Sequence, residues 1–313
     1  MSELRHALDE YIAVRRGLGF DLRLPARLLR NFVSFVDANE ATYITIAVAV
    51  RWAKQPRDAQ PATWASRLGM VRRFASWRSA TDPRTEVPPQ GLISYRYYRT
   101  PPYIYSDDEI ERLICAASNL PSSNGLRASS YATLFGLLSV TGMRVSEVLA
   151  LDHEDVDLGE GILSIRRTKF GKSRLVPVHS STRNALKHYA EVRTRVFPQP
   201  ATQAFFVSDR GTRITEWSAR YTFAKISQKI GLRAAAKGHG CGPRIHDMRH
   251  RFAAHTLIEW YRAGVDVERE LPKLATYLGH VHVNETYWYL EAVPELLQLA
   301  TRRLMKQAKE VGS

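Results

Sequence analysis

The chain has 313 residues, 44% of them hydrophobic, which is enough for two ordinary domains with separate cores. Its two cysteines, Cys115 and Cys241, stand far apart in no CxxC pair, and no apolar run reaches the roughly 18 residues of a membrane-crossing helix, which argues against a disulfide scaffold and a membrane span. The formal charge is +14, spread evenly: 16 Lys and Arg against 9 Asp and Glu in residues 1–100, and 29 against 22 in residues 101–313. Such an excess serves either general solubility or a polyanionic partner.

The first stretch, Met1 to Ile12, carries Glu3, Asp9 and Glu10 without a continuous apolar core. It does not read as a secretory signal, and a cytosolic chain with free thiols is expected. Apolar residues then recur at helical spacing through the first 80 positions. Leu4, Leu8 and Ile12 line one face, with Gly17 and Gly19 punctuating its end. Leu28, Leu29, Phe32, Val33 and Val36 line a second. A third helix runs through Ile46, Ala49, Val50 and Ala53 and stops before Pro56; a fourth, capped by Thr63, carries Trp64, Leu68, Val71 and Phe74. The expectation is a small helical bundle over residues 1–87, with Arg67, Arg72, Arg73 and Arg78 on or near its last helix as a solvated face or, for the first three above all, as DNA contacts.

Pro83, Pro88, Pro89, Pro101 and Pro102 mark a linker, with its core at 88–102. Ser106-Asp107-Asp108-Glu109 is a capping box, so a second domain is expected over 103–313. Its helices are expected at 107–118, 130–140, 181–194, 215–230, 246–262 and 267–278. Between the second and third of these, Ile162, Leu163 and Ile165 precede Lys169-Phe170-Gly171-Lys172, and Leu175, Val176 and Val178 follow. This pattern predicts a hairpin with a basic tip, on which Lys172 and Arg174 are candidate DNA contacts.

Four separated segments carry chemistry. Thr141-Gly142-Met143-Arg144-Val145-Ser146-Glu147 ends an apolar helix and presents Arg144. Lys169 sits on the hairpin tip. His246-Asp247-Met248-Arg249 places His246 and Arg249 on one face if helical. Leu278-Gly279-His280 is followed nine residues later by Tyr289. Each is unremarkable alone. His250, His255 and His282 have no matching metal-ligand set, so core or surface roles are expected for them; a metal at His239-Gly240-Cys241 is disfavoured.

In their order and spacing the four segments resemble the tyrosine recombinase, or phage integrase, family over residues 103–295. The resemblance implies a mainly helical, two-domain DNA clamp: a helical core-binding domain followed by a catalytic domain with a small antiparallel sheet. It implies Tyr289 as the nucleophile, with Tyr287 the less favoured neighbour, and Lys169 as the general acid. Arg144 and Arg249 match a phosphate's charge with forked donors, and His246 and His280 donate hydrogen bonds or act as acid or base. Glu147 supports the arginine side or His246. Neither metal nor cofactor is expected. The implied reaction is site-specific cleavage and rejoining of double-stranded DNA through a 3′-phosphotyrosyl link, for integration, excision or transposition. Paired recombination sites would be held by a homotetramer, alone or with related recombinases. Rival readings are a type IB topoisomerase and a catalytically idle DNA-binding protein. Beyond Tyr289, Pro294-Glu295 opens a tail helix whose expected apolar stripe is Leu297, Ala300, Leu304 and Val311. It packs either on its own domain or into a neighbouring protomer.

Overall fold

The structure, a computed structural model, describes residues 2–95, 102–166, 173–199, 201–234, 242–280, 282 and 284–311. The chain divides into two compact units, Met1–Thr100 and Pro101–Ser313. Among the described residues no helix is long and apolar enough to cross a membrane.

Unit 1 holds α1 (Glu3–Gly17), α2 (Arg23–Ala38), α3 (Ile46–Ala53) and α4 (Pro61–Arg78). Leu4, Leu8 and Ile12 of α1 and Leu29, Phe32, Val33 and Val36 of α2 are buried, while Leu28 packs at the edge. Trp52 centres this core. It is fully buried, its indole N–H donates to Asn31 Oδ1 at 2.9 Å, and it meets Phe32 edge-on at 5.2 Å. The start of α4 differs from expectation. Pro61 occupies the first turn and Thr63 lies inside the helix, because a proline's fixed φ and missing N–H suit that position.

The proline-rich stretch after α4 is bound to the bundle as far as it is described. Glu86 donates its N–H to the Ile44 carbonyl at 2.8 Å, and its carboxylate accepts from the Ile46 N–H at 2.6 Å, satisfying a free donor of α3. Pro88 is buried and Ile93 packs against the core.

Unit 2 begins with α5 (Asp107–Ser118), opened by the Ser106–Glu109 capping box, and α6 (Leu126–Thr141). A six-residue helix, α7 (Val145–Ala150), follows; it is too short to leave a periodic signal. The sheet is three-stranded and antiparallel, β1 (Val156–Asp157), β2 (Ile162–Ile165) and β3 (Arg174–Pro177), in that order. Its register sets Leu163 opposite Val176 and Ile165 opposite Arg174. Lys169 and Lys172 fall outside the described residues. Then come α8 (Ser180–Val196), α9 (Glu216–Lys229), α10 (Asp247–Arg262), α11 (Val267–Leu278), α12 (Asn284–Ala292) and α13 (Pro294–Val311). One core gathers α5 to α9 and the sheet; a second gathers Leu257, Leu271, Leu278, Tyr289 and Leu296 from α10 to α13.

The tail packs on its own unit. Leu296 is fully buried against α10 and Leu299 is half-buried, whereas Leu297 is 57% exposed. Of the expected stripe, Leu297 thus faces solvent while its neighbour Leu296 is buried, and Ala300 is half-buried; the side chains of Leu304 and Val311 lie outside the described ones. Arg303 donates to the Val265 carbonyl at 2.6 Å and Arg262 pairs with Glu295 at 2.7 Å.

Trp52→Ala is expected to destabilise unit 1 by about 3–5 kcal/mol, read as a lower urea midpoint for the helical signal. A loss below about 1 kcal/mol would show that the packing of α2, α3 and α4 does not depend on it.

Candidate active site

The turn between α6 and α7 sets the first arginine. Gly142 adopts φ +60° at the end of α6, and a Cβ there would stand 2.5 Å from the Phe252 ring. The chain reverses at this point without a side chain and delivers Arg144 to the start of α7. Glu147, three residues on, accepts from the Arg144 backbone N–H at 3.0 Å and from its Nη1 at 2.9 Å. Nη2 of Arg144 donates to the Gly279 carbonyl at 3.1 Å.

Glu147 also holds Arg174 of β3 through two bonds, Nη1 to Oε1 at 3.1 Å and Nη2 to Oε2 at 2.7 Å, while Arg174 Nε donates to the Tyr277 carbonyl at 2.7 Å. The Arg174 side chain is 10% exposed. This corrects its expected role as a DNA contact: its forked donors are committed to a buried carboxylate and a helix end. Burial alone would raise the Glu147 pKa; the hydrogen bonds from Arg174 and Arg144 outweigh it and hold the carboxyl below its ordinary value.

Arg249 lies in the first turn of α10 and is 3% exposed. Its Nη1 donates to the Gly142 carbonyl at 2.8 Å and its Nη2 to the Leu278 carbonyl at 2.7 Å. Burial, then the nearby Arg144, lowers its pKa to about 10. His246 stands immediately before α10, and burial followed by Arg249 lowers its pKa to about 4. His280 follows the left-handed Gly279, where a Cβ would meet the Arg174 guanidinium at 2.7 Å. Its Nδ1 lies 2.7 Å from Thr286 Oγ1, and burial, then Arg249 and Arg144, lowers its pKa to about 3. Both histidines are therefore neutral near pH 7, able to donate one hydrogen bond each without adding charge.

Tyr289 of α12 is 2% exposed, and its hydroxyl lies 3.0 Å from His250 Nδ1. Tyr287, two residues earlier, is 44% exposed. The structure thus brings Arg144, Glu147, His246, Arg249, His280 and Tyr289 to one place, where α6, α10 and α11 end or begin and α12 packs on α10 and α11. His250 belongs with them, although sequence reasoning gave it a core or surface role. The available signal was its position directly after Arg249 and four residues, one helical turn, after His246.

The unit 1 arginines need correction. Arg67 lies over the Trp52 ring at 3.9 Å and donates to the Trp52 carbonyl at 3.1 Å. Arg72 donates to the carbonyls of Pro88 and Pro89 at 2.7 and 2.8 Å. Both serve the bundle itself, because apolar ring faces and unpaired carbonyls lie within their reach. Arg73 is exposed and makes no hydrogen bond or ion pair among the described residues.

Residues 104–295 match the phage integrase family. A Sinorhizobium fredii protein named integrase/recombinase y4rB is 49% identical over 98% of this chain and 98% of its own length. Tyrosine recombinase XerD of Caulobacter vibrioides is 31% identical over 77% of this chain and 74% of its own. Two solved structures share the fold: the Tn1549 transposon integrase with transposon right-end DNA (TM-score 0.66, 16% identity, 97% of this chain and 100% of that one) and XerH recombinase in its post-cleavage complex with difH DNA (0.62, 18%, 89% and 77%). The family match and the relatives define the class, a recombinase acting on DNA. The chain belongs to the phage integrase family and is a tyrosine-type site-specific recombinase.

Glu147→Ala strands the buried Arg174 and frees Arg144, and is expected to cost about 3–5 kcal/mol. Because the Glu147 pKa is depressed on folding, its contribution is full above the ordinary value of 4.5 and fades as pH falls through the lower folded value. Melting temperatures of wild type and Glu147→Gln should therefore differ most near neutrality and converge in acid. Parallel curves across that range would refute the assignment.

Proposed function

We propose that Tyr289 attacks a DNA phosphodiester to form a 3′-phosphotyrosyl link and release a 5′-hydroxyl. The observation that carries this reading is the convergence of Arg144 and Arg249, two neutral histidines and Tyr289 from separated segments. Each guanidinium has five N–H donors, and the backbone and Glu147 bonds described leave others for the non-bridging oxygens. Fixed donors of this kind are worth about 3–4 kcal/mol each where charge develops. His246 and His280 donate to the same oxygens. Lys169, which lies between β2 and β3 in the sequence, protonates the departing 5′-oxygen. Glu147 positions Arg144 and acts through it.

The new bond retains the energy of the old one, so a 5′-hydroxyl from another strand can reverse the attack and exchange strands. The bundle of residues 1–87 is the core-binding half and 88–102 the connection to it; Arg73 and Lys172 meet phosphates. The enzyme works in the cytoplasm on paired sites as a homotetramer, alone or with related recombinases. It serves the integration, excision or transposition of a mobile element, in keeping with the 49% identical integrase/recombinase. The reported relatives are recombinases, which favours strand exchange over simple relaxation.

Tyr289→Phe should bind DNA and give no protein–DNA adduct on a nicked suicide substrate, whereas Tyr287→Phe should still be trapped. The reverse pattern sinks the assignment. Because guanidinium groups supply the charge that metals supply elsewhere, single-turnover cleavage should also proceed within about twofold in EDTA. Loss of cleavage restored by a divalent ion would overturn that part of the mechanism.

A further inference from the structure

Tyrosine is a poor nucleophile while it keeps its proton, with an ordinary pKa of about 10. The phenolic proton must leave as the oxygen–phosphorus bond forms. The described acid–base groups gathered in the site are His246, His250, His280 and Glu147. Glu147 is committed to two arginines, and His280 Nδ1 faces Thr286. His250, by contrast, presents Nδ1 to the Tyr289 hydroxyl at 3.0 Å.

The tautomer of His250 decides which way this hydrogen bond runs. Its other nitrogen, Nε2, lies 4.0 Å from Oδ1 of Asp247. Asp247 is 2% exposed and is fixed by Arg244, whose backbone N–H and Nη2 donate to it at 2.7 and 2.9 Å. That distance is too long for a hydrogen bond, but the negative charge on that side favours the proton on Nε2 by electrostatics, leaving the Nδ1 lone pair facing the phenol. Tyr289 then donates and His250 accepts. The order is nucleophile, base and orienting carboxylate, the arrangement by which enzymes activate hydroxyl nucleophiles.

Building on the reading of Tyr289 as nucleophile, we propose that His250, oriented by Asp247, accepts the Tyr289 proton during cleavage. The Tyr289 oxygen bonds to phosphorus and the phosphorus–O5′ bond breaks. The phenolic proton passes to His250 Nδ1, and the 5′-oxygen takes its proton from the general acid. Rejoining runs the same transfers backwards, with protonated His250 returning its proton to the tyrosine. The groups that face His250 are Arg244, His246, Asp247 and Arg249 from α10 and its approach, His280 after α11, and Tyr289 on α12. Burial, then His246 and the arginines, holds His250 neutral, with a pKa lowered to about 4. A docked phosphate brings negative charge that offsets those arginines and strengthens the base when it is needed.

The test is single-turnover cleavage of a suicide substrate by the full chain across about pH 6 to 9.5. His250→Asn keeps a neutral acceptor near the Nδ1 position and cannot take a proton. It should cleave about a hundredfold more slowly near neutrality, with a rate climbing about tenfold per pH unit toward the phenol's ordinary pKa, while wild type stays flat. Trifluorotyrosine at position 289, which ionises unaided, should restore His250→Asn to within about tenfold of wild type. A variant that cleaves like wild type, or is slow with a flat profile and no response to trifluorotyrosine, overturns the proposal. Adduct formation by Tyr289→Phe would instead overturn the nucleophile itself. If His250→Asn does not fold, the nitrogen-15 shifts of His250 in the wild-type chain decide: a bare Nδ1 supports the proposal, and a protonated Nδ1 overturns it.

Discussion

Three arginines end on the last turn of α11, and the rest of the site depends on that contact. The carbonyls of Tyr277, Leu278 and Gly279 accept from Arg174, Arg249 and Arg144 respectively. The last carbonyls of a helix have no partner within it and carry the negative end of its dipole. They can therefore neutralise part of a buried cation without adding a full charge. Arg249 gains a second such partner at the end of α6, the Gly142 carbonyl. Two helix ends thus do most of what carboxylates would otherwise have to do. Among the described residues the one carboxylate bonded directly to these arginines, Glu147, is divided between Arg144 and Arg174.

This arrangement explains why a glycine precedes the functional residue in both turns. Gly142 and Gly279 each take a left-handed conformation that ends a helix. Each also lies where a Cβ would collide, with Phe252 in one case and the Arg174 guanidinium in the other. A side chain at either position would push away a neighbour that the site needs.

Much of this was legible in the sequence, and the failures have physical causes. Helices with a strong apolar stripe were readable, such as α2, as was the capped start of α5 at Ser106. The hairpin strands were readable from their β-branched runs. α7 was not, because six residues hold too few repeats to show a period. The arginines were the chief difficulty. Arg174, Arg67 and Arg72 are as basic in the sequence as Arg73, yet three of them are held by a carboxylate, a ring face or carbonyls from distant segments. Charge is written in the sequence, but what lies within reach of a long side chain is decided by tertiary structure. His250 was missed for the same reason. Its partner lies 39 residues away on another helix; its place beside Arg249 and one turn after His246 sets it near the site, but does not say that it faces a tyrosine.

The electrostatic balance of the site bears on why it should act only with DNA in place. Arg144, Arg174 and Arg249 bring three positive charges and Glu147 returns one negative charge. Asp247 is taken up by Arg244, and His246, His250 and His280 are kept neutral by burial and by those arginines. The described groups thus hold a surplus of about two positive charges in a place largely removed from water, where unbalanced charge is costly. A phosphodiester carries about one negative charge, and more gathers on its non-bridging oxygens as a fifth oxygen approaches. On the proposed reading the surplus is not fully balanced by the bound ground state and is balanced best as the phosphorus becomes crowded, which is the condition for lowering a barrier rather than merely binding a substrate. On the same reading burial keeps His250 neutral, with Arg249 adding to it, and a phosphate that offsets Arg249 strengthens the proposed base facing Tyr289.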